Sequence, residues 1–294
     1  MDIRSIIKSY PLLYQLLIHL YTFIKKFPVL IKRGFKKHPN MLEGELNLFK
    51  SIYKYCEIIV DVGARYDIDY VLLSKGNDIS YYFFEANPKF YKKLIQKLSG
   101  INEKIICENV AVGESERLTN YYLDSESILN STTAVKNSKN KLERQVQMIR
   151  LDNYFLKSNI KKIDFIKTDI EEYDFFALLG LGGILFKCKF IQFELGIGAP
   201  FKGRFVKNQD YYDLFQKRFK MYIIKDENNP IWANKIINSD LVPIDELAKK
   251  SINHLQKLGY GFNIFCVSVN FNIDLELNTT NIKERHINQI FEIK

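Results

Sequence analysis

Acids close the apolar runs of this chain. Ile58-Ile59-Val60 runs into Asp61-Val62-Gly63-Ala64-Arg65, and Tyr81-Tyr82-Phe83-Phe84 runs into Glu85-Ala86-Asn87-Pro88. The pattern reads as strand, tight turn, helix and strand, with a carboxylate at the carboxyl end of each strand. In a doubly wound α/β sheet those strand ends border the crevice that holds a ligand. An acid about 20 residues after a glycine turn is placed to accept hydrogen bonds from a ribose diol. Further along, Asp169 and Glu171 follow the apolar Ile163–Thr168, and Glu194 closes Phe190–Glu194. These three should face the same crevice, where a carboxylate can take a proton from a reacting hydroxyl. Three acids could also hold a divalent cation, the less favoured reading. Asp169 and Glu171 could equally cap a helix beginning near Tyr173.

The elements that position these groups follow from the same runs. Ile58–Val62, Tyr81–Glu85, Ile105–Val110, Ile163–Thr168 and Phe190–Glu194 are strand candidates, and Pro88–Leu98 and Tyr173–Leu179 have helical spacing. Alternating strands and helices imply an α/β fold with a parallel sheet covered on both faces. A Tyr211–Phe219 helix, a Met221–Ile224 strand and a Phe262–Val269 strand follow, the two strands forming an antiparallel closing pair at the far edge of the sheet. Residues 119–150 break the alternation: Tyr121-Tyr122-Leu123 and Val146–Ile149 read as two short strands around a polar, lid-like insertion. The expected organisation is an N-terminal extension over residues 1–45, a main domain over 46–270 and a tail over 271–294.

The turn also bears on the cofactor. A dinucleotide carries a pyrophosphate, which needs close backbone approach at a helix N-terminus and therefore several glycines. Only Gly63 is present here; Arg65 and Asp67 follow, and Asp67 and Asp69 would set negative charge beside a phosphate. S-adenosylmethionine has no phosphate and a positive sulfonium. One glycine beside Asp61 suits that ligand better.

Several further segments fit one pattern: Asn109-Val110-Ala111-Val112-Gly113, Arg150-Leu151-Asp152-Asn153-Tyr154, the run from Ile163 through Lys167-Thr168-Asp169-Ile170-Glu171 to Tyr173, and Ile191-Gln192-Phe193-Glu194. Together these resemble the FkbM family of S-adenosylmethionine-dependent O-methyltransferases over roughly residues 50–270. The resemblance implies a class I methyltransferase fold: a Rossmann-like, mostly parallel seven-stranded sheet with helices on both faces, here with an N-terminal helical extension. It implies cofactor contacts from Asp61, Gly63, Ala64, Arg65, Glu85, Ala86, Asn87, Asn109, Val110, Ala111 and Asp169. Asp169, Glu171 and Glu194 become the catalytic candidates, and the hydroxyl of a sugar or polyketide the acceptor. The chain departs from the family's usual Asp-Val-Gly-Ala-Asn-x-Gly at Arg65 and Asp67, and has Glu172 where a glycine is usual. A non-catalytic interaction module on the same fold, and an NAD-binding oxidoreductase or epimerase, are the alternatives.

The charge balance narrows the partners. Of a net charge of +9, most lies in residues 1–40, where Arg4, Lys8, Lys25, Lys26, Lys32, Arg33, Lys36 and Lys37 face Asp2 alone. The nearly neutral remainder lacks the basic face expected of a nucleic-acid-binding body. Cys56, Cys107, Cys188 and Cys266 are widely spaced in or beside apolar runs, as core thiols in a reducing compartment would be. Within the leader, Pro11 to Ile24 is apolar but too short for a bilayer span of about 20 residues. It reads either as a helix in the interface of an anionic membrane, with the main domain cytoplasmic, or as a helix packed on protein. The interfacial reading predicts that the full chain floats with anionic liposomes and that a chain lacking residues 1–40 does not. Equal flotation of both would leave the packing reading.

Overall fold

The computed structural model describes residues 42–124, 132–133, 140–170, 173–195, 206–271 and 277–293, and the first forty-one residues lie outside it. The body opens with helix α1 (Glu43–Ile52), followed by β1 (Ile58–Val62), α2 (Asp69–Leu73), β2 (Ser80–Phe84), α3 (Pro88–Leu98) and β3 (Lys104–Glu108). Then come β4 (Ala111–Val112), β5 (Arg117–Asp124), β6 (Thr132–Thr133), β7 (Asn140–Ile149) and α4 (Leu151–Lys157). The chain continues through β8 (Phe165–Thr168), α5 (Asp174–Leu179), β9 (Phe190–Leu195), α6 (Asn208–Phe215) and β10 (Phe219–Ile224). It ends with α7 (Pro230–Ala233), β11 (Leu241–Pro243), α8 (Glu246–Lys257), β12 (Phe262–Ser268) and α9 (Glu284–Phe291).

Eight strands form the main sheet in the order β11-β10-β12-β9-β8-β1-β2-β3. From β3 to β9 all pairings are parallel, and β12 then runs antiparallel to both β9 and β10. Strand order reverses between β1 and β8, which places a crevice at their carboxyl ends. The expected antiparallel pair is β10 with β12. An eighth strand, the three-residue β11, lies outside it at the edge, one more than the expected seven.

Side-chain alternation assigns the two faces. Val60, Val62, Tyr82, Phe84, Ile166 and Phe193 belong to the large core cluster. Phe155 of α4 meets Tyr82 at 5.3 Å, and Phe215 of α6 meets Phe193 at 5.3 Å. On the opposite face Phe49 of α1, Tyr70 of α2 and Phe165 pack mutually within 6 Å. Helix α3 starts where the sequence requires: the Asn87 side chain accepts from Lys89 N–H, Pro88 occupies the first turn, and Phe90, Leu94 and Leu98 are buried.

Residues 119–150 are built differently from two short strands and a polar loop. β5 and β7 form a long antiparallel hairpin with a bulge at Tyr121/Tyr122, which β4 and β6 complete as a second, four-stranded sheet. Residues 125–131 and 134–139 lie outside the described residues. All four cysteines are free, three of them buried. The tail carries α9, and Ile282 and Ile290 are buried in the main core. Ile290→Ala should therefore cost about 2–5 kcal/mol in urea unfolding. A loss below about 0.5 kcal/mol, the range of surface substitutions, would show that α9 is not packed.

Candidate active site

The turn after β1 is held by its neighbours on both sides. Gly63 N–H donates to the Phe84 carbonyl at 2.8 Å, and Asp169 N–H donates to the Val62 carbonyl at 2.9 Å. Gly63 has φ +84°, and a Cβ there would lie 2.2 Å from the Asp169 carbonyl oxygen, so only glycine fits. Two residues later Arg65 also adopts positive φ, 52°, where the family pattern has the more tolerant Asn. Its guanidinium lies 5.0 Å from the centre of the Phe90 ring. Ala64, between them, is buried.

Glu85 closes this turn onto the next. Its carboxylate accepts from Arg65 N–H at 2.7 Å and from Asn87 N–H at 2.6 Å. Each oxygen keeps a lone pair for a ligand hydroxyl. Asn87 is buried and spends its side chain on the α3 cap, while Ala86 beside it is half-buried. Asn109 was expected at the cofactor, but its amide donates to the Glu85 and Ala86 carbonyls at 2.7 and 3.2 Å and so sets their position. Val110 packs against the core cluster, and Ala111 begins β4 and pairs with Met148. Glu108 closes β3 as Glu85 closes β2, and its carboxylate accepts from the Tyr154 hydroxyl at 2.8 Å. Sequence reading ran that strand on to Val110 and so passed over Glu108; the recurring acid at each strand end was the available signal.

β1 and β8 bring the charged groups together. Asp61 and Lys167 are register partners, and Lys167 Nζ lies 3.1 Å from Asp169 Oδ2. Asp61 is only 2% exposed and its Oδ1 is buried without a hydrogen-bond partner. The Asp169 side chain is 49% exposed. Glu194 stands elsewhere on the rim, with Oε1 against Gly261, where a Cβ would come within 2.8 Å. Glu171 and Glu172 lie outside the described residues. Asp174, at the start of α5, is fully buried, and burial pushes its carboxyl well above the usual range. Among the described residues no group of three His, Cys, Asp or Glu side chains is arranged to hold a metal ion.

Burial pushes the Asp61 carboxyl up to about 7, against the opposing pull of Lys167. Burial likewise raises Glu85 to about 7, although the Asn87 and Arg65 N–H groups favour its ionised form. The same groups titrate near 4 in an unfolded chain, so folding takes up protons between those values. Their contribution to stability must therefore fall as pH rises from about 4 to about 7. Thermal melts of the ligand-free protein should show this loss between pH 5 and pH 8. Asp61→Asn should remove part of it and raise stability at pH 8, by at most about 4 kcal/mol. A loss unchanged in Asp61→Asn would contradict the assignment.

The donor set at this crevice fits an adenosylated amino acid better than a pyrophosphate. A buried, unpartnered carboxylate oxygen on Asp61 suits an ammonium group, Glu85 can take a ribose diol, and the single glycine turn leaves no anion cradle. The family profile described as "Methyltransferase FkbM domain" matches residues 61–218, more than half of the chain. No curated protein matches the chain. Similar solved structures include an O-methyltransferase from Bacillus cereus in complex with S-adenosylhomocysteine, at 11% identity and TM-score 0.41, over 84% of this chain and 90% of that one. A putative O-methyltransferase from Klebsiella pneumoniae is 8% identical with TM-score 0.41, over 81% and 84% of the two chains. An S-adenosylmethionine-dependent O-methyltransferase from Thermotoga maritima is 12% identical with TM-score 0.38, over 82% and 71%. Sequence motif, sheet order and family profile agree, and the chain belongs to the FkbM family of S-adenosylmethionine-dependent methyltransferases.

Proposed function

We propose that the chain methylates a hydroxyl, on a sugar of a glycan or of a secondary metabolite, with Asp169 as the acceptor-side base or orienter. The observation that carries this reading is the contrast among neighbouring acids. Asp61 and Glu85 are buried in the turns, whereas Asp169, on the adjoining strand end, keeps an open carboxylate anchored by Lys167.

The bound cofactor supplies a methyl group on a sulfonium, which departs as a neutral thioether. Asp61 and the Gly63 turn would hold its amino-acid end, and Glu85 its ribose. An attacking alcohol must lose its proton as the oxygen–carbon bond forms, and the Asp169 carboxylate can accept that proton. Lys167 keeps Asp169 in place, and the Gly63–Asp169 backbone contact fixes the distance between the cofactor turn and the acceptor side. Holding the reactants in line is the larger contribution to rate in such a displacement. Glu194, on the same rim, is a second candidate, and Glu171, two residues beyond Asp169 in the sequence, is another.

The sugar preference rests on the family resemblance. The same reading places the enzyme in the cytoplasm, with residues 1–40 as its contact with the inner face of a membrane. It is supported by the charge of that segment. Asp169→Asn should bind S-adenosylhomocysteine within about threefold of the parent protein while slowing transfer by about 10²–10⁴-fold. Mass spectrometry of candidate sugars for the gain of one methyl group supplies the acceptor for that assay. Full activity of Asp169→Asn on the acceptor would remove Asp169 from the chemistry.

A further inference from the structure

The main sheet ends at β3, which pairs with β2 on one side and, among the described residues, with no strand on the other. The ladder fixes which backbone groups face outward. Glu85 N–H donates to the Glu108 carbonyl, so Glu108, and with it Ile106 and Lys104, turn their N–H and carbonyl groups toward β2. Ile105 and Cys107 present theirs at the edge. The Tyr91 hydroxyl approaches the Cys107 carbonyl at 3.4 Å, beyond the usual range, and leaves that oxygen a lone pair.

Proteins ordinarily blunt such an edge with a proline, a bulge or an inward charge. β3 reads Lys-Ile-Ile-Cys-Glu: it has no proline, and it pairs with β2 without a shift of register. Ile106, at its centre, is 43% exposed. The helices over the two faces at this end each leave a large apolar side chain open, Ile95 of α3 and Leu156 of α4.

The strand is also complementary to itself. About a two-fold axis at Ile106, an antiparallel second copy sets Ile105 opposite Cys107, the pair whose outward groups can exchange both backbone bonds. Ile106 then meets Ile106, and on the same face Lys104 stands opposite Glu108, an attractive cross-strand pair. Lys104 spends one of its three ammonium protons on Asp78, and Glu108 spends one carboxylate oxygen on Tyr154, so each keeps capacity for the other. Centring the axis on Ile105 or on Cys107 would instead set Lys104 or Glu108, respectively, against Ile106. A strand from another protein would not call for this symmetry.

We propose that two copies of this chain pair through β3, joining their sheets into one across a two-fold axis at Ile106. The pairing buries Ile106 and uses the open backbone groups of Ile105 and Cys107. It lies at the sheet edge and does not depend on what the crevice binds.

Sedimentation equilibrium of the full chain should show a reversible dimer with a dissociation constant of about 1–100 μM, as suits a small interface. Ile106→Lys sets two like charges face to face and should weaken it at least about tenfold, with an unchanged circular dichroism spectrum. Should that variant not fold, Ile106→Cys decides. Residues opposed in this way lie roughly 4.5 Å apart between Cα atoms, within reach of a disulfide, so Ile106→Cys should cross-link as a dimer under mild oxidation. Lys104→Cys, four positions off its symmetry mate, should not. A parent protein that stays monomeric up to about 300 μM would overturn the proposal. Unweakened association of a folded Ile106→Lys, or cross-linking of Ile106→Cys no better than that of Lys104→Cys, would overturn it as well.

Discussion

A single ammonium group, that of Lys167, sits buried in the middle of the sheet, and the arrangement around the crevice answers to it. Lys167 is 8% exposed and stands in register with Asp61 on one side and Gln192 on the other. Burial alone would lower its pKa, but Asp169, Tyr70, Glu45 and Asp61 outweigh that and hold it well above its ordinary value. An unpaired buried charge costs several kcal/mol, so β8 can carry this lysine only with acids gathered round it. Gln192 in turn donates to the Glu45 carboxylate, which draws α1 onto the same face. One cation thereby ties together the register of β1, β8 and β9, the seating of α1 and the position of Asp169.

The two ends of the sheet hold buried carboxylates in different surroundings. Asp164, just before β8, accepts from Glu57 N–H at 2.7 Å and Ile58 N–H at 3.0 Å and pairs with Lys189 at 2.8 Å. Asp61, at the opposite end, keeps an oxygen without a partner although it is almost completely buried. Buried polar atoms are normally satisfied, and an exception at a topological switch point supports the proposed role of Asp61 in holding the cofactor. The turn that presents it is rigid because the Asp169 carbonyl closes on Gly63. Arg65 takes up the left-handed conformation at a cost of roughly 1–2 kcal/mol, and its contact with the Phe90 ring helps to offset that.

How far the sequence carried depended on whether the deciding contacts were local. Ile58–Val62 and Pro88–Leu98 were legible to the residue, because an apolar run before a glycine and an Asn-Pro cap are signals within a few positions. The acids at Asp61 and Glu85 were legible for the same reason. At Asn109 the amide at a strand end was legible, but its bonds to two backbone carbonyls, which join distant parts of the chain, were not. The pairing of Asp61 with Lys167 joins distant strands and left no local trace. The ladder of β5 and β7 runs beyond the two apolar runs that mark it in the sequence, because backbone pairing between distant residues leaves no local pattern. β11 is too short to announce itself, and the buried Ile282 and Ile290 of the tail look isolated until the core is seen around them.

The account stands or falls on what the crevice at Asp61, Gly63 and Glu85 holds. Calorimetric titration of the full chain with S-adenosylmethionine, S-adenosylhomocysteine and NAD tests it most directly. It predicts saturable binding of the first two and none of NAD, which requires a phosphate cradle that this turn does not form. Binding of NAD without binding of either adenosyl ligand would contradict it.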